Sequence, residues 1–278
     1  MGVLNCTPDS FSDGGLYLDE RLALEHAEGM LERGASIIDV GAESTRPGAP
    51  RITATLQVER ALPVVRALAS RGVYVSIDTT DREVAARMLD AGAAMVNSVE
   101  LGVAADLGVL ARRFDADLVL MHSRGSMEKV AGFSHAPERS YGDVVADVLS
   151  EWRTARDAAL SSGLDATSLV LDPGLGFHKS AEHSLTLVAR LSELVAAGHP
   201  VLVGPSRKSF LAVVTKGPGA EAAAPSERLG ATVAACLACA KRGAAILRVH
   251  DVREVQQALA FESALARRAI SPQVVTRA

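Results

Sequence analysis

The chain has 278 residues, 48% of them hydrophobic and 22% charged, with 23 Gly and 11 Pro. That composition excludes collagen-like, low-complexity and largely disordered chains. A net charge of −4, from 29 Lys and Arg against 33 Asp and Glu, leaves no global basic field to gather nucleic acid.

Short Val/Ile/Leu runs alternate with alanine-rich amphipathic stretches from end to end. The runs fall at 2–6, 36–40, 73–77, 94–97, 117–121, 168–171, 200–203 and 245–249. Each is mainly apolar and lacks a period-two alternation, the pattern of a buried parallel strand. Helical stretches lie at 20–33, 55–70, 82–91, 104–114, 141–162, 181–197, 227–242 and 252–268. Thr80 with Glu83 and Asp251 with Glu254 are each spaced as a capping box. Gly34, Gly92 and Gly163 stand where helices should stop. The stretch with Gly217, Pro218 and Gly219 and the alanines at 222–224 reads as a mobile insertion before the seventh helix. Eight strand-then-helix units favour an α/β fold, a single (β/α)8 barrel domain spanning 1–278 whose first strand starts at the chain N-terminus. An open doubly wound sheet is the alternative.

No apolar run reaches the roughly 18 residues that span a bilayer, and the N-terminus lacks signal-peptide order, so no membrane partner is expected. Three cysteines without framework spacing point to a reduced, cytoplasmic protein. Cys236 and Cys239 have redox-motif spacing but sit in an alanine-rich helix, where free cysteine packs as a small hydrophobe.

A barrel of this kind places its site at the C-terminal ends of the strands, so polar residues should cluster just beyond the apolar runs. Asn5 ends the first; Asp39 and Glu43 follow the second; Asp78 ends the third; Asn97 closes the fourth. His122 and Arg124 follow the fifth, Asp172 ends the sixth, Ser206, Arg207, Lys208 and Ser209 follow the seventh, and Arg248 and His250 finish the eighth. Arg46, Arg207, Lys208, Arg248 and His250 suit phosphate oxygens. Asp78, Asn97 and Asp172 suit a flat heterocycle bearing N–H groups. Asn5 offers the carbonyl oxygen that a hard divalent cation takes beside phosphates. Together they point to a nitrogen heterocycle carrying a phosphate or diphosphate. Blander readings stand beside these: a helix cap at Asp78, a structural amide at Asn97, a turn former at Asp172, and a solvated basic face at Arg207 and Lys208. His26, His135, His183 and His199 read as surface. The loops at 7–15 and 44–50 have the composition of lids.

The segments Asn5-Cys6-Thr7-Pro8-Asp9-Ser10-Phe11-Ser12-Asp13-Gly14-Gly15, Glu43-Ser44-Thr45-Arg46-Pro47-Gly48, Asp172-Pro173-Gly174-Leu175-Gly176-Phe177, Ser206-Arg207-Lys208-Ser209-Phe210 and Arg248-Val249-His250-Asp251 resemble the dihydropteroate synthase family, in order over nearly the whole chain. The resemblance implies a barrel that joins 6-hydroxymethyl-7,8-dihydropterin diphosphate to 4-aminobenzoate and releases pyrophosphate. By that likeness Asp172 and Lys208 bind the pterin with Asp78 and Asn97, and Asn5 holds Mg2+ on the diphosphate. Arg46, Arg248 and His250 meet the diphosphate oxygens. Thr45, Pro47, Phe11 and Phe177 shape the aminobenzoate pocket, and Ser209 meets its carboxylate. The likeness also implies a homodimer.

The chain departs from the family pattern at Ser98, Ser123, His178 and Pro205. It also begins inside its first strand, where family members usually carry an extension. Two further readings stay open: a methyltetrahydrofolate-dependent corrinoid methyltransferase barrel, and a pterin-binding paralogue without turnover.

Overall fold

The computed structural model describes residues 1–6, 16–43, 51–124, 134, 136–137, 140–217 and 221–270. Six parallel strands form one continuous ladder in chain order: β1 (Gly2–Asn5), β2 (Ile37–Gly41), β3 (Tyr74–Asp78), β4 (Met95–Ser98), β5 (Asp117–Met121) and β6 (Leu169–Asp172). Two more, β7 (Leu202–Val203) and β8 (Ile246–Leu247), pair with each other. The ring closes through two single bridged pairs, Leu171 with Val201 and Gly2 with Val249. Across the second junction Val3 N–H donates to the Val249 carbonyl at 3.1 Å, and Val249 N–H to that of Met1 at 3.0 Å. The architecture is the (β/α)8 barrel.

Helices follow the strands: α1 (Leu16–Glu32), α2 (Ala54–Ala69), α3 (Arg82–Asp90), α4 (Ala104–Phe114), α5 (Val144–Ser161), α6 (Ala181–Ala189), α7 (Leu191–Val195), α8 (Ser209–Thr215), α9 (Leu229–Lys241) and α10 (Val252–Ile270). Each turns a stripe of small or branched residues to the sheet. On α1 the buried positions Ala23, Ala27 and Met30 recur at helical spacing. On α5 Trp152 reaches in far enough for its indole N–H to donate to the Leu120 carbonyl at 3.1 Å.

The strands divide their residues between two cores. Leu4, Ile38, Val40, Val75, Ile77, Val96, Leu118, Leu120, Leu169 and Leu171 pack outward against the helices. Met95, Val119, Val170 and Leu202 form a separate cluster with Met1 and Ile246, which is the filling of the barrel. Two-sided burial explains why the strands are mainly apolar, with most of their polar residues gathered toward the ends.

Four expectations need correction. Asp81, not Thr80, caps α3, its carboxylate accepting from Glu83 and Val84 N–H. The stretch 181–197 is two helices, broken at Arg190. An unanticipated helix, α8, follows β7; the insertion beyond it is described only in part, 218–220 lying outside the described residues. His183 is buried rather than superficial, in a capping box with Ser180. The expected stops hold: Gly34, Gly92 and Gly163 adopt left-handed backbone.

Candidate active site

Strand register gathers the rim residues. Asn5 pairs with Gly41, Gly41 with Asp78, and Asp78 with Asn97. Asn5, Asp78 and Asn97 therefore lie at the ends of neighbouring strands, and Asp172 ends β6 opposite Met121. Two residues before Gly41 on β2, Asp39 pairs with Ser76. Asp39 lies within β2 rather than after it, wholly buried.

Arg248 joins these strands. Its Nε donates to Asp39 Oδ2 at 2.6 Å and its Nη2 to Asp78 Oδ2 at 2.9 Å. Asn97 Nδ2 donates to the same Asp39 oxygen at 3.0 Å. Burial works against the Arg248 charge, but Asp39 and Asp78 more than offset it. Burial also pushes the Asp78 carboxyl up to about 7, against the pull of Arg248. Asp39 Oδ1, Asp78 Oδ1 and Ser76 Oγ are buried with no hydrogen-bond partner among the described residues.

Across the mouth, burial raises Asp172 while Lys208 and then the Gly174 N–H draw it down. That N–H donates to Asp172 Oδ1 at 2.7 Å. Gly174 has φ +64, and a Cβ there would overlap the His122 carbonyl oxygen, so no other residue fits this turn. Burial lowers Lys208 to about 8, with Asp172 acting in the opposite direction. The Lys208 ammonium stands 4.6 Å from the centre of the Phe177 ring, lying over Gly204 beside Arg248. Asp78, Asn97, Asp172, Lys208, Phe177 and Arg248 thus share one mouth. The cap reading of Asp78 fails, since its carboxylate takes Arg248. The turn reading of Asp172 holds together with a site role, because the carboxylate has capacity beyond one N–H.

The remaining expected residues lie elsewhere or outside the description. His250 is exposed on the rim, its Nδ1 3.0 Å from Ser206 Oγ. Ser209 Oγ donates to Ser134 Oγ at 2.9 Å. Arg207 pairs with Asp251 at the surface, as the bland reading has it. His122 is fully buried, bonded through Nε2 to Glu151 at 3.0 Å. Phe11, Thr45, Arg46 and Pro47 lie outside the described residues.

Two residues carry more than the sequence suggests. Asp39 reads there as a strand-end residue, yet it anchors both Arg248 and Asn97; an aspartate inside an apolar run is the signal. Lys179, fully buried under the 172–179 loop, gives none.

Comparison with known proteins agrees with this geometry. The pterin binding enzyme family matches residues 1–250. A dihydropteroate synthase of Mycobacterium leprae is 44% identical over 260 residues, 93% of this chain and 90% of that protein. The dihydropteroate synthase of Xanthomonas albilineans, solved with 4-aminobenzoic acid, superposes with TM-score 0.84 at 37% identity, covering 98% of this chain and 93% of that one. That of Thermus thermophilus, in complex with 4-aminobenzoate, gives 0.80 at 41% identity over 95% and 93%.

Proposed function

Since the chain belongs to the dihydropteroate synthase family of pterin-binding enzymes, we propose that it condenses 6-hydroxymethyl-7,8-dihydropterin diphosphate with 4-aminobenzoate. The products are 7,8-dihydropteroate and pyrophosphate. The observation that carries this reading is the single mouth in which Asp78, Asn97 and Asp172 stand with Lys208 and Arg248.

The Asp172 carboxylate can accept parallel N–H bonds from the 2-amino-4-oxo edge of the ring, with Asn97 matching a donor-acceptor pair beside it. Held there, the pterin methylene loses its C–O bond, and the electron pair leaves with the diphosphate. The cation left behind is delocalised into the dihydropterin. Arg248 and Lys208, already desolvated, favour charge developing on the departing group. His250 adds a donor on the rim, and family likeness would give Arg46 a role on the same diphosphate. The arylamine nitrogen then closes the C–N bond and sheds a proton. Such an amine needs placement more than deprotonation, so no general base is assigned. Phe177 and Ser209 would meet the arylamine, and family likeness would give Phe11, Thr45 and Pro47 the same role.

Mg2+ suits the donor set as an ion that arrives with the diphosphate. Asn5 Oδ1 and Asp78 Oδ2 both lie within 4 Å of where a Cβ on Gly41 would stand, and Asp78 Oδ1 is unpartnered. Among the described residues no group of three His, Cys, Asp or Glu side chains could hold a metal; magnesium commonly takes few protein oxygens and completes its shell with water and phosphate. Asn5 would hold it, and when bound it would neutralise leaving-group charge. Three buried cysteines suit a reducing cytoplasmic setting. A homodimer is the expectation of family likeness.

The test is pyrophosphate release from purified protein, pterin diphosphate, 4-aminobenzoate and Mg2+. Release that requires the arylamine is expected. Tight pterin binding without release would instead make the chain a non-catalytic binder.

A further inference from the structure

We propose that Lys179 is a positioning residue for the reaction, fastening the 172–179 loop to the end of β5 and so fixing Phe177 where the arylamine must enter. The proposal rests on the functional reading above.

Lys179 is the largest polar side chain wholly withdrawn from solvent, at 0% exposure. Its ammonium reaches His122 Nδ1 at 3.0 Å, the His122 carbonyl at 3.1 Å and the Phe177 carbonyl at 3.1 Å. Three donors meet three acceptors, which is how a buried ammonium is tolerated. Two of the acceptors belong to the residue after β5 and the third to the loop. One side chain therefore ties both segments together.

The surrounding bonds show what depends on that tie. Asp172 has backbone anchors of its own, since His122 N–H donates to its carbonyl at 2.8 Å and the Gly174 N–H to its carboxylate, and Lys179 reaches it only through charge, as one of the lesser influences that lower it. Further along the loop, Ser123 Oγ meets His178 Nδ1 at 2.9 Å, and Tyr141 donates its hydroxyl to the His178 carbonyl at 3.1 Å. The Ser123 and His178 departures from the family pattern thus contact each other. The Phe177 carbonyl takes the ammonium directly, while its ring faces Lys208. Losing Lys179 therefore loosens Phe177 first and Asp172 least.

The tie extends outward. Since His122 Nδ1 accepts from Lys179, the ring proton sits on Nε2, where it donates to Glu151. Glu151 is clamped in turn by Arg124 Nε at 3.0 Å. Burial lowers His122 to about 4, so the ring carries a single proton, which an ammonium at Nδ1 and a carboxylate at Nε2 direct to Nε2.

Lys179→Met keeps the length and removes the donors; Lys179→Gln restores two of the three. In Lys179→Met, KM for 4-aminobenzoate is expected to rise about tenfold, with KM for the pterin diphosphate changed less than about threefold. Lys179→Gln should fall between Met and wild type. A purely structural role would lower the melting temperature and the active fraction without this split. Equal changes in both KM values, or Met and Gln variants alike, would overturn the proposal. The wild-type His122 tautomer, read by nitrogen NMR, gives a test that no variant's folding can spoil: a proton on Nδ1 would exclude the tie. Wild-type protein that releases no pyrophosphate would defeat the functional reading, whereas Nδ1 protonation or an even KM change in an active protein would defeat this one alone.

Discussion

Two layers inside the same barrel, one strand step apart, are built on opposite terms. The lower consists of Met95, Val119, Val170 and Leu202. The upper holds Asn97 and Asp172 two positions further along β4 and β6, with Arg248 just past Ile246 and Leu247 of β8. Both layers are buried, yet burial stabilises the first and strains the second, where it raises Asp78 and Asp172 and lowers Lys208. The contrast teaches that stability and chemistry are separated here by height within one core, not by domain.

Substitutions can break that separation if it is wrong. The largest effect is expected at Asp172→Asn, which keeps an oxygen for the Gly174 N–H but loses the charge that grips the ring. Turnover should fall by about a hundredfold or more with melting little changed; near wild-type rates in the folded variant would mean the pterin sits elsewhere. Next, Leu202→Ala in the lower layer should cost roughly 2–5 kcal/mol in denaturant unfolding, while kcat per folded molecule stays within about twofold. A loss of kcat as deep as that of Asp172→Asn would merge the layers.

The third effect is a pH dependence. Asp78 is raised from 3.8 to about 7. Between those values the unfolded chain sheds the proton while the folded chain keeps it, so stability falls as pH rises through that window and levels off above it. Lys208, lowered from 10.5 to about 8, gives the opposite slope: above about 8 the folded chain has shed a proton that the unfolded chain retains, and stability rises. Melting curves from pH 5 to 7 should therefore drop for wild type relative to Asp78→Asn. Parallel curves would show that the Asp78 carboxyl is not held protonated. The smallest effect sharpens the boundary of the site. Arg207→Ala removes an exposed pair with Asp251 and should change stability by less than about 1 kcal/mol, with kcat nearly intact; a large loss of turnover would place Arg207 among the phosphate groups.

Much of this is legible in the chain itself. Eight apolar runs followed by amphipathic stretches mark parallel strands covered on both faces, and their number favours the barrel over the open sheet that shares this pattern. The rim residues are legible only as a set: one polar group after a run can cap or turn, as Asp172 does, but polar groups after all eight runs are hard to explain that way. Lys179 is not, because the stretch His178-Lys179-Ser180 looks like any helix approach, and only the tertiary meeting of two loops buries the ammonium. The break at Arg190 is equally hidden, since 181–197 keeps helical spacing on both sides of it. Asp39 lies between these cases, visible in sequence but at a different height from the one its position in the run suggests.

The ring closes on either side of β7 and β8 through one bridged pair each, and these two strands lead into the residues that bear Lys208 and Arg248. The carboxylates that Arg248 grips belong to β2 and β3, in the six-stranded wall. The arginine is therefore a latch across one of the two seams of the cylinder, and a substrate that draws it toward a phosphate also tugs on the clasp that helps keep the cylinder shut.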